Sequence, residues 1–408
     1  MNRRHFLLAT GALGLTAATV AANKYWPEPG ITNPCLTSLP NHLQDHPLMQ
    51  RVWSGVNASQ VWDSHVHLVG TGDQKSGVWF NKNMDSNWHP ILKLQKYFYM
   101  NGACAINGHI DISTINRMVD LVAEMPSGFK TMLFAFDWFH DENGSVNKEN
   151  SIFYIPNEYA AKAASEHPQY FEWVASIHPY RADAIDALQQ AHAQGARAIK
   201  WLPSGMGINP MSARCDRFYQ TAHDLNLPII SHTGRESAVQ GGNQDDGNPL
   251  CMRRALDAGV RVVLAHCASD GDDEDLDNNK QRVKSFALFT RMMDEVKYKD
   301  LLVGEISALT LINHAWALKP LLQRADWHSR LLNGSDYPLP GIMALISPQQ
   351  LVSNGLLEES SVDFLHELRT YNPLMFDFAL KRLLTFEGHT FPASLFETRH
   401  FFDATLIN

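Results

Sequence analysis

The chain has 408 residues, 45% of them hydrophobic, enough to bury one large core. Charged residues make up 19% and the formal net charge is -9 with no basic stripe, which argues against a protein built to grip a nucleic-acid backbone. The expected partner is a small molecule.

The first segment, Asn2-Arg3-Arg4-His5-Phe6-Leu7-Leu8, pairs two arginines with an uncharged, Gly/Thr/Ala-rich run that ends in Val20-Ala21-Ala22. It resembles a twin-arginine (Tat) export signal covering residues 1–22, with the Tat machinery as a partner and the periplasm as destination. Left uncleaved, the run would tether the chain to a membrane, though weakly. Residues 23–58 read as an extended lead-in. The first strand then ends in Val61-Trp62-Asp63-Ser64-His65-Val66-His67, where alternation along a strand sends both imidazoles to one side. An insertion over about 69–112, rich in aromatic and polar residues (Trp79, Trp88, Tyr97, Tyr99), has the composition of a lid or substrate wall.

Helical spacing over Thr114 to Met125 leads to a second strand at Thr131 to Phe136, and a helix at Glu158 to Glu166 leads to a third at Phe171 to Ile177, followed by His178-Pro179. Helix 181–194 precedes a fourth strand reaching Lys200 and Trp201. Helix 211–225 precedes a fifth ending in His232, and helix 248–258 a sixth ending in His266. A helix over about 278–297 leads to strand seven, Leu301 to Ile306. Helix 313–325 leads to strand eight, Arg330 to Asp336, and the tail from Ser347 is mostly helical. Eight apolar strands alternating with helices, with polar residues at their C-terminal ends, predict an α/β fold: a (β/α)8 TIM barrel over residues 59–400. An open doubly wound sheet is the competitor, but no Gly-x-Gly-x-x-Gly loop follows the first strand.

A barrel brings strand ends that are remote in sequence to one mouth. His65, His67, His232, His266 and Asp336 would there supply imidazoles and a carboxylate, a donor set suited to a divalent metal, Zn²⁺ foremost, with Mn²⁺, Fe²⁺ or Co²⁺ as substitutes. Such an ion acidifies water and polarises a carbonyl, which is the chemistry of hydrolysis. The five cysteines are too scattered for a disulfide scaffold, and their odd number leaves at least one free thiol. Cys267, beside His266, reads as a buried core thiol. The acidic run Asp270 to Asp277 lacks EF-hand spacing and reads as a solvated loop near the mouth.

As a set, Asp63-x-His65-x-His67, His178-Pro179, Ile199-Lys200-Trp201-Leu202-Pro203, Ser231-His232-Thr233-Gly234, Ala265-His266-Cys267, Glu305-Ile306-Ser307-Ala308 and Gly334-Ser335-Asp336-Tyr337-Pro338 resemble the amidohydrolase superfamily. The resemblance is to its amidohydrolase-related branch, which includes metal-dependent decarboxylases and lactonases. It implies that His65, His67 and His232 are metal ligands, and that Asp336 is both a ligand and the catalytic base. For Lys200 and His266 it implies one of two arrangements. With two ions, Lys200 is carboxylated and bridges them while His266 binds the second; with one, His266 polarises substrate or moves protons, and Lys200 is a substrate-binding cation. Arg235, Trp201 and Tyr337 are candidate substrate contacts beside these positions. Glu305 is the branch's variable strand-seven acid, equally suited to a structural hydrogen bond.

The expectation is an exported hydrolase in which metal-activated water attacks an amide, ester or lactone carbonyl. The first alternative is a metal-dependent decarboxylase of an aromatic or unsaturated acid, and the second a non-catalytic exported binding protein. The sequence leaves a homo-oligomer open.

Overall fold

A computed structural model describes residues 30–236, 239 and 241–403; the export signal expected over residues 1–22 lies outside the described residues. Eight parallel strands follow one another in chain order: β1 (Trp62–His67), β2 (Lys130–Phe134), β3 (Phe171–Val174), β4 (Ile199–Trp201), β5 (Ile229–His232), β6 (Val262–Ala265), β7 (Leu302–Glu305) and β8 (Leu331–Leu332). Each ladder pairs sequence neighbours, β1 to β2 to β3 and β4 through β8. Two isolated parallel bridges, Ala175 with Ile199 and Val66 with Tyr337, join the two runs into a ring. Backbone bonds reinforce the second junction, from Ser64 N to Asn333 O at 3.2 Å, Asp336 N to His65 O at 2.8 Å and His67 N to Tyr337 O at 2.9 Å. The chain is thus an α/β (β/α)8 barrel.

Its interior is a small layer of Trp62, Met132, Phe134, Val174, Ala198 just before β4, Ile230, Val263, Val303 and Leu332, with Phe402 from the C-terminus against them. Residues two positions further along β4, β5 and β7, namely Lys200, His232 and Glu305, keep the same inward parity and rise above that layer. Strand β1 needs a correction to do the same, because Trp62 and His65 are three residues apart. Between Asp63 and Val66 its register slips against β2, three steps on β1 matching two from Thr131 to Leu133. This extra residue, a β-bulge, restores His65 and His67 to the interior face.

Several expected boundaries shift. The helix expected over 278–297 is an antiparallel ribbon, Asp272–Glu274 with Arg282–Lys284, followed by the helix Ser285–Asp294. The acidic run is therefore not simply solvated: Asp273 and Asp275 are buried, and Asp275 takes both Arg291 guanidinium nitrogens at 2.8 and 2.7 Å. The segment 248–258 is a 3-10 turn, Pro249–Met252, before a short helix, Arg253–Asp257. The insertion carries a helix of its own, Pro90–Gly102, and the next helix starts early, at Ile110. A disulfide, Cys35–Cys104, fastens the lead-in to the end of that insertion, while Cys215, Cys251 and Cys267 are free and buried.

The C-terminal helices hold the loop after β8. Lys381, fully buried on the helix Pro373–Leu383, donates from Nζ to Gly334 O at 2.6 Å and to Asp377 Oδ2 at 2.7 Å. Arg369 donates to four carbonyls of the following turn, those of Pro340, Ile342, Met343 and Ile346. Removing one partner of a buried ion pair strands the other charge. Lys381→Met is expected to lower the unfolding free energy by about 3–5 kcal/mol in urea denaturation at neutral pH, and the double variant Lys381→Met/Asp377→Leu to recover part of that loss.

Candidate metal centre

At the C-terminal mouth of the barrel, His65 and His67 present their Nε2 atoms to each other at 3.2 Å. Asp336 Oδ1 lies 3.2 Å from His67 Nε2 and 3.5 Å from His65 Nε2. From the other side His266 Nε2 stands 3.7 Å from Asp336 Oδ2. Lys200 Nζ reaches His65 Nε2 at 3.1 Å. His232 completes the ring of side chains, its imidazole centroid 5.1 Å from that of His266.

What orients His65 is a carboxylate behind it. Glu305 is fully buried and accepts from His65 Nδ1 at 2.6 Å, from Ser64 Oγ at 2.6 Å and from Ser307 Oγ at 2.8 Å. Burial alone would raise its pKa, but the facing His65 and the donated bonds outweigh that and keep it lowered. An anionic Glu305 requires the proton on Nδ1 of His65, so Nε2 carries a lone pair. His266 is set in the same way, with Nδ1 3.2 Å from Ser307 O and its Nε2 turned to Asp336.

Burial pushes these imidazoles toward neutrality: His65 down to about 4, with His232 lowered and His266 well below the ordinary range. Asp336 is held well below the usual carboxylate range, since the facing His65 and His67 outweigh the cost of burying its charge. Burial lowers Lys200 to about 8.

Two imidazole nitrogens 3.2 Å apart, with a carboxylate oxygen beside both, are a cluster of donor atoms of the kind that holds a divalent cation. His232 Nε2 is buried and makes no hydrogen bond. The donor set fits a divalent ion held by His65, His67 and Asp336, while His232 stands beside His266 and Glu236. A second convergence of donors, His65, His266 and Glu305, is already knitted together through Ser307 and serves orientation.

Two of the residues arrive by irregular backbone. Strand β6 stops at Ala265, and His266, Cys267 and Ala268 follow with φ of 57°, 51° and 49°. The sequence reading placed His266 at the strand's end with Cys267 pointing opposite; instead a left-handed turn swings His266 over the barrel. Asp336 likewise has φ of 59°. Such strain in non-glycine residues persists only where the surroundings enforce it. Gly334 permits the close approach of β8, since a Cβ there would meet His65 Cβ at 2.6 Å and Glu305 Oε1 at 2.8 Å.

A cavity of about 350 Å³ opens above these residues, with Lys200, Arg235 and Asp336 in its lining. Much of its wall is apolar, including Phe98, Met100, Phe153, Leu311, Leu339 and Ile342. Arg235 is otherwise exposed. Trp201 and Tyr337 do not reach the cavity, which corrects their reading as substrate contacts. Trp201 follows the inward Lys200, and Tyr337 is bridged to Val66, which lies between the inward His65 and His67, so both face the outer side of the barrel. Trp201 is fully buried, donates from Nε1 to Ile177 O at 2.9 Å and packs against Phe218. Tyr337 is buried and closes the ring against β1.

Sequence reasoning gave no role to two residues of the wall, Glu236 and His314. Glu236 sits with Oε2 3.4 Å from His232 Nε2. His314 lines the cavity and pairs through Nδ1 with Ser269 Oγ at 2.6 Å. Tyr99 comes from the insertion helix, as the expected lid or wall would supply. His178 is a satisfied core histidine, its Nε2 3.0 Å from Met206 O and its Nδ1 3.1 Å from Tyr180 N.

Residues 109–341, more than half of the chain, match the family model described as amidohydrolase. That span includes Lys200, His232, His266 and Asp336; His65 and His67 precede it. No curated protein sequence matches significantly. Among solved structures the chain is similar to an uncharacterised TIM-barrel protein from Bordetella bronchiseptica, at 14% identity over 78% of this chain and 99% of that one, with a TM-score of 0.46. A putative 2-pyrone-4,6-dicarboxylic acid hydrolase from Pseudomonas putida aligns at 15% identity over 79% and 98%, with a TM-score of 0.43. A 5-carboxyvanillate decarboxylase from Sphingomonas paucimobilis aligns at 10% identity over 76% and 98%, with a TM-score of 0.46. By its match to the family model, the chain belongs to the amidohydrolase family.

Proposed function

We propose that this protein is an exported, metal-dependent hydrolase that cleaves an amide, ester or lactone of a small, largely apolar molecule. The observation that carries this reading is the convergence of the His65, His67 and Asp336 donor atoms at the floor of an apolar cavity. His65, His67 and Asp336, with His232, would hold the ion. A divalent metal, Zn²⁺ by its donor set, supplies Lewis acidity there, easing deprotonation of water and polarising the substrate carbonyl.

The chain's own residues then divide the remaining work. Asp336, ionised, is the base that takes the proton of the attacking water. His266, neutral and 3.7 Å from Asp336 Oδ2, is placed to relay that proton toward the leaving group. Lys200, with its amine lowered to about 8, is partly unprotonated near neutral pH, the form that carboxylation by CO₂ requires. Carboxylated, Lys200 would instead help hold a second ion, with His266 as a ligand in place of its relay role. The apolar wall excludes bulk water and strengthens each of these charge interactions.

One observation favours a second reading, removal of a carboxylate by a C–C lyase: the Arg235 guanidinium at the cavity is suited to a bidentate carboxylate contact. The export half of the proposal is supported by the twin-arginine segment together with the Cys35–Cys104 disulfide, a bond that persists in oxidising compartments such as the periplasm.

Elemental analysis of the purified protein tests the centre: about two ions per chain, falling in Lys200→Ala, would establish the carboxylated-lysine hydrolase. About one ion, unchanged in that variant, would transfer weight to a mononuclear hydrolase or the decarboxylase; none after reconstitution would sink the metal reading. His65→Ala and Asp336→Asn are expected to abolish turnover while circular dichroism stays native, because they lie at the mouth of the barrel and not in its packed layers. Glu305→Gln, which removes the acceptor charge behind His65, is expected to weaken metal affinity by about 10- to 100-fold in chelator competition.

A further inference from the structure

The helix Pro90–Gly102 has two unlike faces. Its inner side reaches the cavity through Gln95, Phe98, Tyr99 and Met100. Its outer side carries Ile91, Leu94 and Tyr97, spaced three apart, at 67%, 54% and 52% exposure, and Trp88 just before the helix is 91% exposed. Singly exposed apolar residues are ordinary, but a run on one helix beside a ligand cavity marks an interaction surface.

We propose that this face docks on a lipid bilayer, lying in the interfacial plane with Trp88, Ile91, Leu94 and Tyr97 among the headgroups and upper acyl chains. Three observations select a bilayer over a second copy of the chain. The helix contains two lysines and no acidic residue: Lys96 is neutralised by Asp85 at 2.6 Å, while Lys93 bonds only the neutral Asn87 and keeps its positive charge, although the whole chain carries a net charge of -9. An anionic lipid surface attracts such a patch, whereas self-pairing would bring like charges together. The exposed aromatics are Trp and Tyr, whose polar tip and apolar body suit the membrane–water boundary.

The third observation is the path of the chain. Asn33 N donates to Asn101 Oδ1 at 2.8 Å, Asn101 Nδ2 donates to Asn33 O at 3.2 Å, and Cys35 is bonded to Cys104. The lead-in is thus fixed to the C-terminal end of this same helix. The uncharged, apolar run from Phe6 to Ala22 precedes that anchor by only a short stretch of chain. The lead-in that follows that run is therefore tied to the helix that bears the apolar face. Docking there would set the wall of the cavity against the bilayer, whichever reaction the cavity runs.

Quenching of tryptophan fluorescence by brominated lipids in vesicles of phosphatidylethanolamine and phosphatidylglycerol tests this with the purified protein. The difference between the wild-type chain and Trp88→Phe isolates the signal of Trp88. Quenching of that signal, with vesicle partition at least about tenfold weaker in Ile91→Gln/Leu94→Gln, is the expected result. Partition without quenching at Trp88 would assign membrane binding to the N-terminus alone and overturn the proposal. A concentration-dependent dimer in light scattering, with no quenching on vesicles, would give the face to a second copy and overturn it equally.

Discussion

The contact on which the candidate centre depends is the 2.6 Å bond between Glu305 and His65 Nδ1. It joins β7 to β1 across the barrel and fixes a tautomer, because an acceptor-only carboxylate must be met by N–H. Once the proton is on Nδ1, Nε2 has to face the mouth with a lone pair, and the positions of His67, Lys200 and Asp336 follow around it. Ser64 and Ser307 hold the carboxylate in place, and Gly334 leaves room for it. A buried glutamate without these donors would take up a proton and lose its hold on the imidazole.

The eight strands were legible because parallel strands buried on both faces read as near-continuous apolar runs with a polar residue at the exit. The sequence marked the ring of site residues for the same reason, since Lys200, His232 and Glu305 keep the inward parity of Ala198, Ile230 and Val303. Less of the local backbone was visible. The left-handed turn at His266, Cys267 and Ala268 contains no glycine, the usual sign of positive φ, so the sequence there looks like continuing strand. Trp201 and Tyr337 were read by adjacency along the chain, where alternation separates neighbours most completely.

The cavity wall was harder still. Glu236 and His314 come from loops, whose positions depend on tertiary contacts that no local pattern encodes. The pairing of Cys35 with Cys104 belongs to the same class, because five cysteines with no repeated spacing specify no partner. Aromatic and polar enrichment did mark the insertion itself as a wall of the site. It also carried the signal of the exposed helix face, although a stripe spaced three apart has meaning only when its neighbours are known.

The bulge in β1 bears on how this centre might be moved between scaffolds. The five-residue string Asp63-Ser64-His65-Val66-His67 functions here through an added residue that is invisible in the string itself. Grafted onto a regular strand with a large apolar residue at the position of Trp62 facing inward, the same letters would send both histidines out toward the helices. A designer would need to copy the slip in register along with the side chains, and a sequence search keyed to the letters alone will collect strands on which the imidazole pair faces the helices and never the mouth.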